Sequence, residues 1–357
     1  MSERKLASIQ RIIKLEPIEN ADQLELATIL GWQCVVRKGE FLEGQLICFF
    51  EIDSLIPYNE WSKFLFQDKI SKIPPGGVFE GNHRLKTVKL RGQISQGLVV
   101  PLNILPDSYK IQIENFTDEE LLGTDITEIL GIKKYEPYIS ASLQGICKST
   151  FPSWIPKTDE ERIQSAPWIL DQYANVEVIV TEKLDGCSST FYLKDGEFGV
   201  CSRNMDLKES PENAYWQIAR TIDLENKMRL LGKNIAIQGE LIGQGIQSNK
   251  YHLTKKEFYV YNIYNIDTQK YYSFQEACDL IHQMELYFVP VVSPSMKLQE
   301  LGSLEDLIKY SNQNSLINTS VIREGIVIRS VENIQIYKFG RFSFKVINSN
   351  FLLKYGE

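Results

Sequence analysis

The sequence predicts a two-domain α+β protein, a small β-barrel followed by a larger domain in which strands alternate with helices. Three observations predict it. At 357 residues the chain exceeds the usual size of a single domain. Its first hundred residues break into short alternating strands separated by turn residues, which is the pattern of a small barrel. Beyond Asn175, apolar β-branched runs alternate with segments that carry helix-start signals. The boundaries read as barrel 1–105, connector 106–150 and larger domain 151–357.

Composition bounds the function. Hydrophobic residues at 43% and charged residues at 24% are ordinary for a soluble globular protein with a sizeable core. A net charge of −7 gives no global electrostatic reason to bind nucleic acid, so any such binding must use a local patch. The six cysteines have no C-x-x-C spacing and the three histidines lie far apart, which argues against structural zinc and for a reduced, intracellular setting, the cytoplasm first and the nucleus as the alternative. The N-terminus lacks a signal-peptide core and no run of eighteen apolar residues occurs, so no membrane partner is expected.

In the first domain, strands read at Ile9–Leu15, Leu24–Leu30, Gln33–Arg37, Gln45–Ile52, Leu85–Leu90 and Gly97–Pro101. Turn residues separate them at 20–22, 38–40 and 74–77. The strings IENAD at 18–22 and LRGQISQG at 90–97 resemble the OB fold of tRNA-binding domains. Basic residues cluster late, at Arg84, Lys86, Lys89 and Arg91, with Trp32, Phe49, Phe50 and Trp61 elsewhere in the domain. An OB barrel binds single strands through a cationic groove and stacking aromatics, which makes Lys86, Lys89 and Arg91 candidate RNA contacts. The competing reading is that the aromatics are core and the lysines a solvated face.

The stretch 106–138 is acidic and reads as a connector with a short helix. In FPSWIPKTDEERIQ (151–164), Thr158 or Asp159 can cap a helix with an acidic first turn. Further helices read at 211–231, after Ser210, at 274–284, where Ser273 and Glu276 form a capping box, and at 304–310.

The chemistry concentrates in VEVIVTEKLDGCSSTFYLKDGEFGVCSR (176–203). Lys183 and Asp185 stand where a β-branched run ends, and a lysine at the inner end of a buried strand needs compensation for its desolvation. A nucleophilic role is one compensation, since burial and neighbouring positive charge lower the pKa and free the amine. The bland alternative is a hairpin turn with a solvated lysine, as Lys194–Glu197 reads. Downstream company argues against the turn: SRN at 202–204, AIQGELIG at 236–243, FYVYNI at 258–263, REGIVIR at 323–329 and FKVIN at 344–348. Tyr261 is either a stacking ring or core, Glu240 and Glu324 are either functional or solvated strand ends, and Cys187 reads as packing.

In order and spacing from Val176 to Asn348, these stretches resemble the motifs of covalent nucleotidyltransferases, the superfamily of ATP-dependent DNA and RNA ligases and mRNA capping enzymes. GELIGQGIQSNKY (239–251) and FPSWIPKTD (151–159) resemble the RNA ligases that carry an OB domain ahead of the catalytic one. The resemblance implies a catalytic α+β domain with antiparallel sheets. It also implies that Lys183 attacks the α-phosphorus of ATP to form lysyl-AMP, with Lys345 among the cations on the phosphates. Asp185, Glu240 and Glu324 then form the oxygen-rich set for Mg or Mn, largely through waters. ATP is bound by Glu182, Lys183, Arg203, Glu240, Tyr261, Glu324 and Lys345, with Arg203 on the ribose or RNA end and Tyr261 stacked on adenine.

Two departures stand out. Ile347 occupies the position of a frequent second lysine, leaving Lys345 alone or aided by Lys338, Arg341 or Lys354, and Asn262 replaces a frequent aspartate. With twelve residues after Lys345, no downstream OB domain is expected, so pyrophosphate is assigned to Lys157 and Arg162. The resulting expectation is a monomeric ATP-dependent RNA ligase that seals 3′-OH and 5′-phosphate ends in nicked or broken duplex RNA. The alternatives are a DNA or mixed nick ligase, and a non-catalytic RNA-binding protein with an OB module.

Overall fold

The computed structural model describes residues 5–19, 21–66, 81–135, 146–337 and 339–356. Asn20, the turn expected at 74–77 and Lys338 lie outside the described residues. Two compact units emerge. One comprises Ser2–Pro137 with Gln164–Pro167 and Leu352–Glu357, and the other comprises Tyr138–Ile163 and Trp168–Phe351.

The first unit is built on an antiparallel sheet of β1 (Ala7–Pro17), β2 (Leu24–Ile29), β3 (Trp32–Arg37), β4 (Leu46–Phe50) and β5 (Leu98–Pro101), in the order β3-β2-β1-β4-β5. A register shift between Ile12 and Lys14 lets one end of β1 pair with β4 and the other with β2. Such a bulge bends a strand and lets a short sheet curl into a barrel. Trp32, Phe49 and Phe50 are fully buried, so these three aromatics are core and not a stacking platform, because the small barrel needs their volume. Gly97 is obligatory at its place: φ is +133°, and a Cβ would lie 2.6 Å from the Phe49 ring. The stretch expected as a connector contributes Leu121, Ile126, Leu130 and Ile132 to this unit's core.

The second unit contains β6 (Glu177–Lys183), β7 (Cys187–Lys194), β8 (Glu197–Cys201), β9 (Ile235–Gly243), β10 (Lys256–Asn265), β11 (Gly325–Ser330) and β12 (Ser343–Ile347). An eight-stranded sheet includes the run β8-β7-β9-β10, and a five-stranded sheet runs Glu161–Arg162, β12, β11, β6, Val291–Lys297. The pairings are antiparallel apart from Glu161–Arg162 with β12 and Tyr287–Phe288 with β10. Three helices, α1 (Ala214–Thr221), α2 (Leu224–Leu231) and α3 (Phe274–Gln283), bury Trp216, Met228 and Leu280 with Phe191, Ile237, Leu241 and Val260. β6 belongs to the smaller sheet and β7 to the larger. The three residues between them, Leu184–Asp185–Gly186, therefore mark where the chain passes from one sheet to the other.

Local expectations fare unevenly. The Ser273 capping box forms as read. The helix expected over 211–231 is two helices, because Asp223 sits at φ 52° and interrupts it, and the first is capped by Asn213 rather than started at Ser210. No helix starts at Thr158 or Asp159: the Thr158 hydroxyl meets Ser188, Asp159 pairs with Arg203, and Glu161–Arg162 joins the smaller sheet. No helix among the described residues is long and apolar enough to cross a membrane.

Candidate active site

Strand register fixes the floor of the site. Lys183 pairs with Gly325, which pairs with Ile347 on its other side; Thr181 pairs with Val327, which pairs with Lys345. Directly paired residues and residues two apart share a face, so Lys183, Lys345 and Ile347 lie on one side of the smaller sheet. Gly325 keeps the middle of that row bare; a Cβ there would fall 2.3 Å from the Val346 carbonyl oxygen. Ile347 is buried, an apolar residue closing the face that carries both lysines.

Onto this floor the chain brings three carboxylates. Lys183 Nζ donates to Glu324 Oε2 at 2.7 Å, and both side chains are largely buried. Burial pulls the Lys183 ammonium down, but Glu324, Glu240 and Asp185 outweigh it and hold the pKa above its ordinary value. This reverses the lowering expected from the sequence: the neighbours of Lys183 are acidic, so the protein alone favours its protonated form. Burial, reinforced by Glu324 and Asp185 against Lys183, pushes Glu240 up to about 8. Glu240 projects from β9 opposite Ser188 of β7. Gly186 must be glycine, since a Cβ would lie 2.3 Å from the Leu241 carbonyl oxygen and 2.6 Å from Ile242 Cγ2.

Asp185 is held by residues that the sequence reading did not single out. Lys250 Nζ lies 2.8 Å from Asp185 Oδ2, with both side chains about nine-tenths buried, and the Asp185 N–H donates to the Tyr251 hydroxyl at 2.7 Å. Gln247 Nε2 donates to the Gly186 carbonyl. All three lie in the string GELIGQGIQSNKY, in which the sequence assigns a role to Glu240 and none to Gln247, Lys250 or Tyr251.

The remaining expected residues divide. Tyr261 packs beside the cluster of Leu184, Ile242 and Tyr251, and its hydroxyl is 3.2 Å from Ser188 Oγ, which is 3.2 Å from Thr158 Oγ1. Arg329 lies over the Tyr261 ring, 5.6 Å from its centroid, and donates to the Tyr261 carbonyl at 3.3 Å. Glu182 is buried, and its Oε2 accepts from the Leu316 N–H at 2.7 Å; burial raises its pKa. Arg203 is exposed and pairs with Asp159 at 2.6 Å. Lys157 is an exposed donor to Asn204 Oδ1 at 3.2 Å, whereas Arg162 is buried and in parallel register with Lys345, so the two cations assigned to pyrophosphate occupy different settings. Arg341 bonds Asn262 Oδ1 at 2.7 Å, the residue that stands where an aspartate is frequent. Lys86, Lys89 and Arg91 are all exposed, the last two on the hairpin Val88–Leu90/Gln93–Ser95 of the first unit, beside half-exposed Val88 and Leu90.

Among the described residues no three His, Cys, Asp or Glu side chains are arranged to hold a metal ion directly. The donor set nevertheless fits a hard divalent ion bound through water. Its oxygens are carboxyl groups, and Glu240, pushed up to about 8 chiefly by burial and then by Glu324 and Asp185, is a group whose charged form a dication would stabilise.

A largely buried lysine at a strand end, set among carboxyl groups where the chain passes between two sheets, is the arrangement that the nucleotidyltransferase resemblance implies. An RNA ligase family model matches residues 176–347, and an OB-fold domain model matches residues 6–102. The chain is similar over its whole length to Naegleria gruberi RNA ligase. An apo form of that enzyme is 35% identical with a TM-score of 0.85, covering 98% of each chain. A form with ATP and Mn is 35% identical with a TM-score of 0.85, covering 98% of this chain and 99% of that one. A form with pyrophosphate is 36% identical with a TM-score of 0.84, covering 99% of each. A stretch of 131 residues, 35% of this chain, is 28% identical to the phenylalanine–tRNA ligase beta subunit of Geobacillus kaustophilus and spans 14% of that protein. The chain belongs to the RNA ligase family, as an ATP-dependent enzyme with an N-terminal OB domain.

Proposed function

We propose that this ligase joins a 3′-hydroxyl to a 5′-phosphate in broken or nicked duplex RNA, acting as a monomer through a lysyl-AMP on Lys183. The Lys183–Glu324 contact at 2.7 Å inside the carboxylate cluster carries the reading. In the first step Nζ attacks the α-phosphorus of ATP and pyrophosphate leaves; AMP then passes to the RNA 5′-phosphate, and the 3′-hydroxyl displaces it. Glu324 Oε2 is placed to accept the proton that Nζ must lose. Lys345, on the same face, offsets charge on the transferring phosphate. Tyr261 offers its ring to the adenine and Arg203 reaches the ribose or RNA end. Lys157 and Arg162 attend the pyrophosphate.

ATP and Mg or Mn are the cofactors, the metal being held by Asp185, Glu240 and Glu324 through water, where it neutralises phosphate charge. The structures of Naegleria gruberi RNA ligase with ATP and Mn, and with AMP and Mn, support this assignment. The exposed hairpin with Lys86, Lys89 and Arg91 takes the RNA backbone. Incubation with α-labelled ATP and Mn, followed by a denaturing gel, tests the first step: label on the wild type and none on Lys183→Ala is expected. Unlabelled wild-type protein would overturn the reading. Nicked duplexes with RNA or DNA at each end then test the polymer.

A further inference from the structure

The loop that follows β9 is built at a cost. Gln247, Asn249 and His252 all adopt positive φ, at 44°, 44° and 55°, which is unfavourable for residues with a Cβ. Local bonds over-determine it: the Asn249 side chain donates to Leu253 O at 2.9 Å and accepts from the Leu253 N–H at 3.1 Å, and Asn318 Nδ2 donates to Tyr251 O at 3.0 Å. What this shape delivers is three contacts to two consecutive residues beside the nucleophile. Gln247 reaches the Gly186 carbonyl, Tyr251 receives the Asp185 N–H, and Lys250 meets Asp185 Oδ2.

Lys250 is the charged member of this clasp. It is buried with its partner, and its ammonium also lies 4.5 Å from the centroid of the Phe351 ring. A buried ion pair contributes little net stability, because desolvation offsets the attraction, yet removing one partner leaves an uncompensated charge. Such a pair is therefore better explained by what it holds in place. The Asp185 carboxylate it holds is close enough to Lys183 and Glu240 to perturb both.

We propose that Lys250 is a positioning residue of the adenylylation centre. By engaging Oδ2 it fixes the Asp185 carboxylate and leaves the other oxygen for the water shell of the divalent ion. This inference rests on the nucleotidyltransferase reading of the site.

The test uses the full chain in two backgrounds. With Lys183 intact, the rate of lysyl-AMP labelling is followed against Mn concentration. In Lys183→Met, where no chemistry occurs, binding of Mn in the presence of ATP is read by the loss of the free-ion EPR signal. Lys250→Ala is expected to raise the Mn concentration for half-maximal labelling by about tenfold, in the range seen when residues orienting a metal ligand are removed. It is expected to weaken Mn binding in parallel, with Lys250→Arg recovering most of both. Unchanged Mn binding on Lys250→Ala would overturn the proposal. So would a Lys250→Arg variant as impaired as alanine with an equal fall in melting temperature, since that pattern belongs to packing. If wild type itself acquires no label, the function fails and not the role of Lys250.

Discussion

Lys183 and Ile347 flank Gly325 in one row across three strands, so an ammonium and an apolar side chain share a face with a bare glycine between them. Small residues beside the lysine are spatial requirements, and Gly186 makes the clearest test. Gly186→Ala forces a Cβ against the Leu241 carbonyl, whose strand is paired on both sides. Overpacking of this kind costs about 1–3 kcal/mol. Expected are a lower urea midpoint and a labelling rate reduced beyond what the stability loss explains; a wild-type rate and midpoint would contradict the geometry.

Tyr261 separates ring from hydroxyl. Tyr261→Phe keeps the ring and loses the bond to Ser188, so KM for ATP in lysyl-AMP formation is expected within about threefold of wild type, as for loss of one neutral hydrogen bond of about 0.5–1.5 kcal/mol. Tyr261→Ala removes the stacking surface, worth about 1–3 kcal/mol, and is expected to raise KM about tenfold or more. Equal effects from both variants would assign the role to the hydroxyl.

Glu160 governs acid stability. Although burial opposes it, the neighbouring Arg329 and Arg341 guanidinium groups hold its carboxyl below the ordinary range, with Arg329 at 3.0 Å. A folded-state pKa below the unfolded one contributes stability above the unfolded value, about 4.3, and that contribution is lost as pH falls through the lower folded value. Glu160→Gln is therefore expected to destabilise by about 3–5 kcal/mol at pH 7, the cost of breaking a buried pair. The gap to wild type in urea melts should narrow progressively as the medium is acidified below the ordinary carboxylate pKa. A gap constant with pH would refute the charge argument.

The Asn262 departure predicts a gain. Burial, followed by the adjacent Arg329, pushes Arg341 down to about 10, and the group bonds Asn262 through a neutral oxygen. Asn262→Asp supplies a charged acceptor, whose hydrogen bond is worth about 1 kcal/mol more than a neutral one. A rise in melting temperature of about 2–4 °C is expected. A fall would mean that desolvating a second carboxylate wins.

The hairpin cations are tested by salt. Replacing Lys86, Lys89 and Arg91 together by alanine is expected to lower the slope of log K against log salt for RNA by about 0.7 per cation. Lysyl-AMP formation should stay at the wild-type rate. An unchanged slope would remove the RNA backbone from this surface.

Much of this was legible in the sequence where one residue type carries one chemistry. Lys183, Glu240 and Glu324 announce themselves as charges set at or within apolar runs, and the five barrel strands follow from alternation. What could not be read is whatever depends on a partner distant in the chain. Asp185 meets Lys250 through a loop with left-handed angles at Gln247, Asn249 and His252, a shape that the alternation of apolar residues does not announce. Thr158 reads as a cap because capping is the commonest use of a threonine before acidic residues, yet its oxygen is taken by Ser188. The direction of the Lys183 shift was misjudged for the same reason, since burial is visible in a sequence and the sum of three distant carboxylates is not.

The N-terminal unit is discontinuous in the chain. Gly31 donates to the Gln164 carbonyl at 2.9 Å, and Ser165 donates to Glu51 at 2.6 Å, so residues from beyond position 160 complete it. A single cut near residue 137 would then yield a fragment missing part of its own framework. Transplanting this module into another enzyme calls for a short graft of the later segment, and evolutionary exchange of the two halves by simple gene fusion is correspondingly disfavoured.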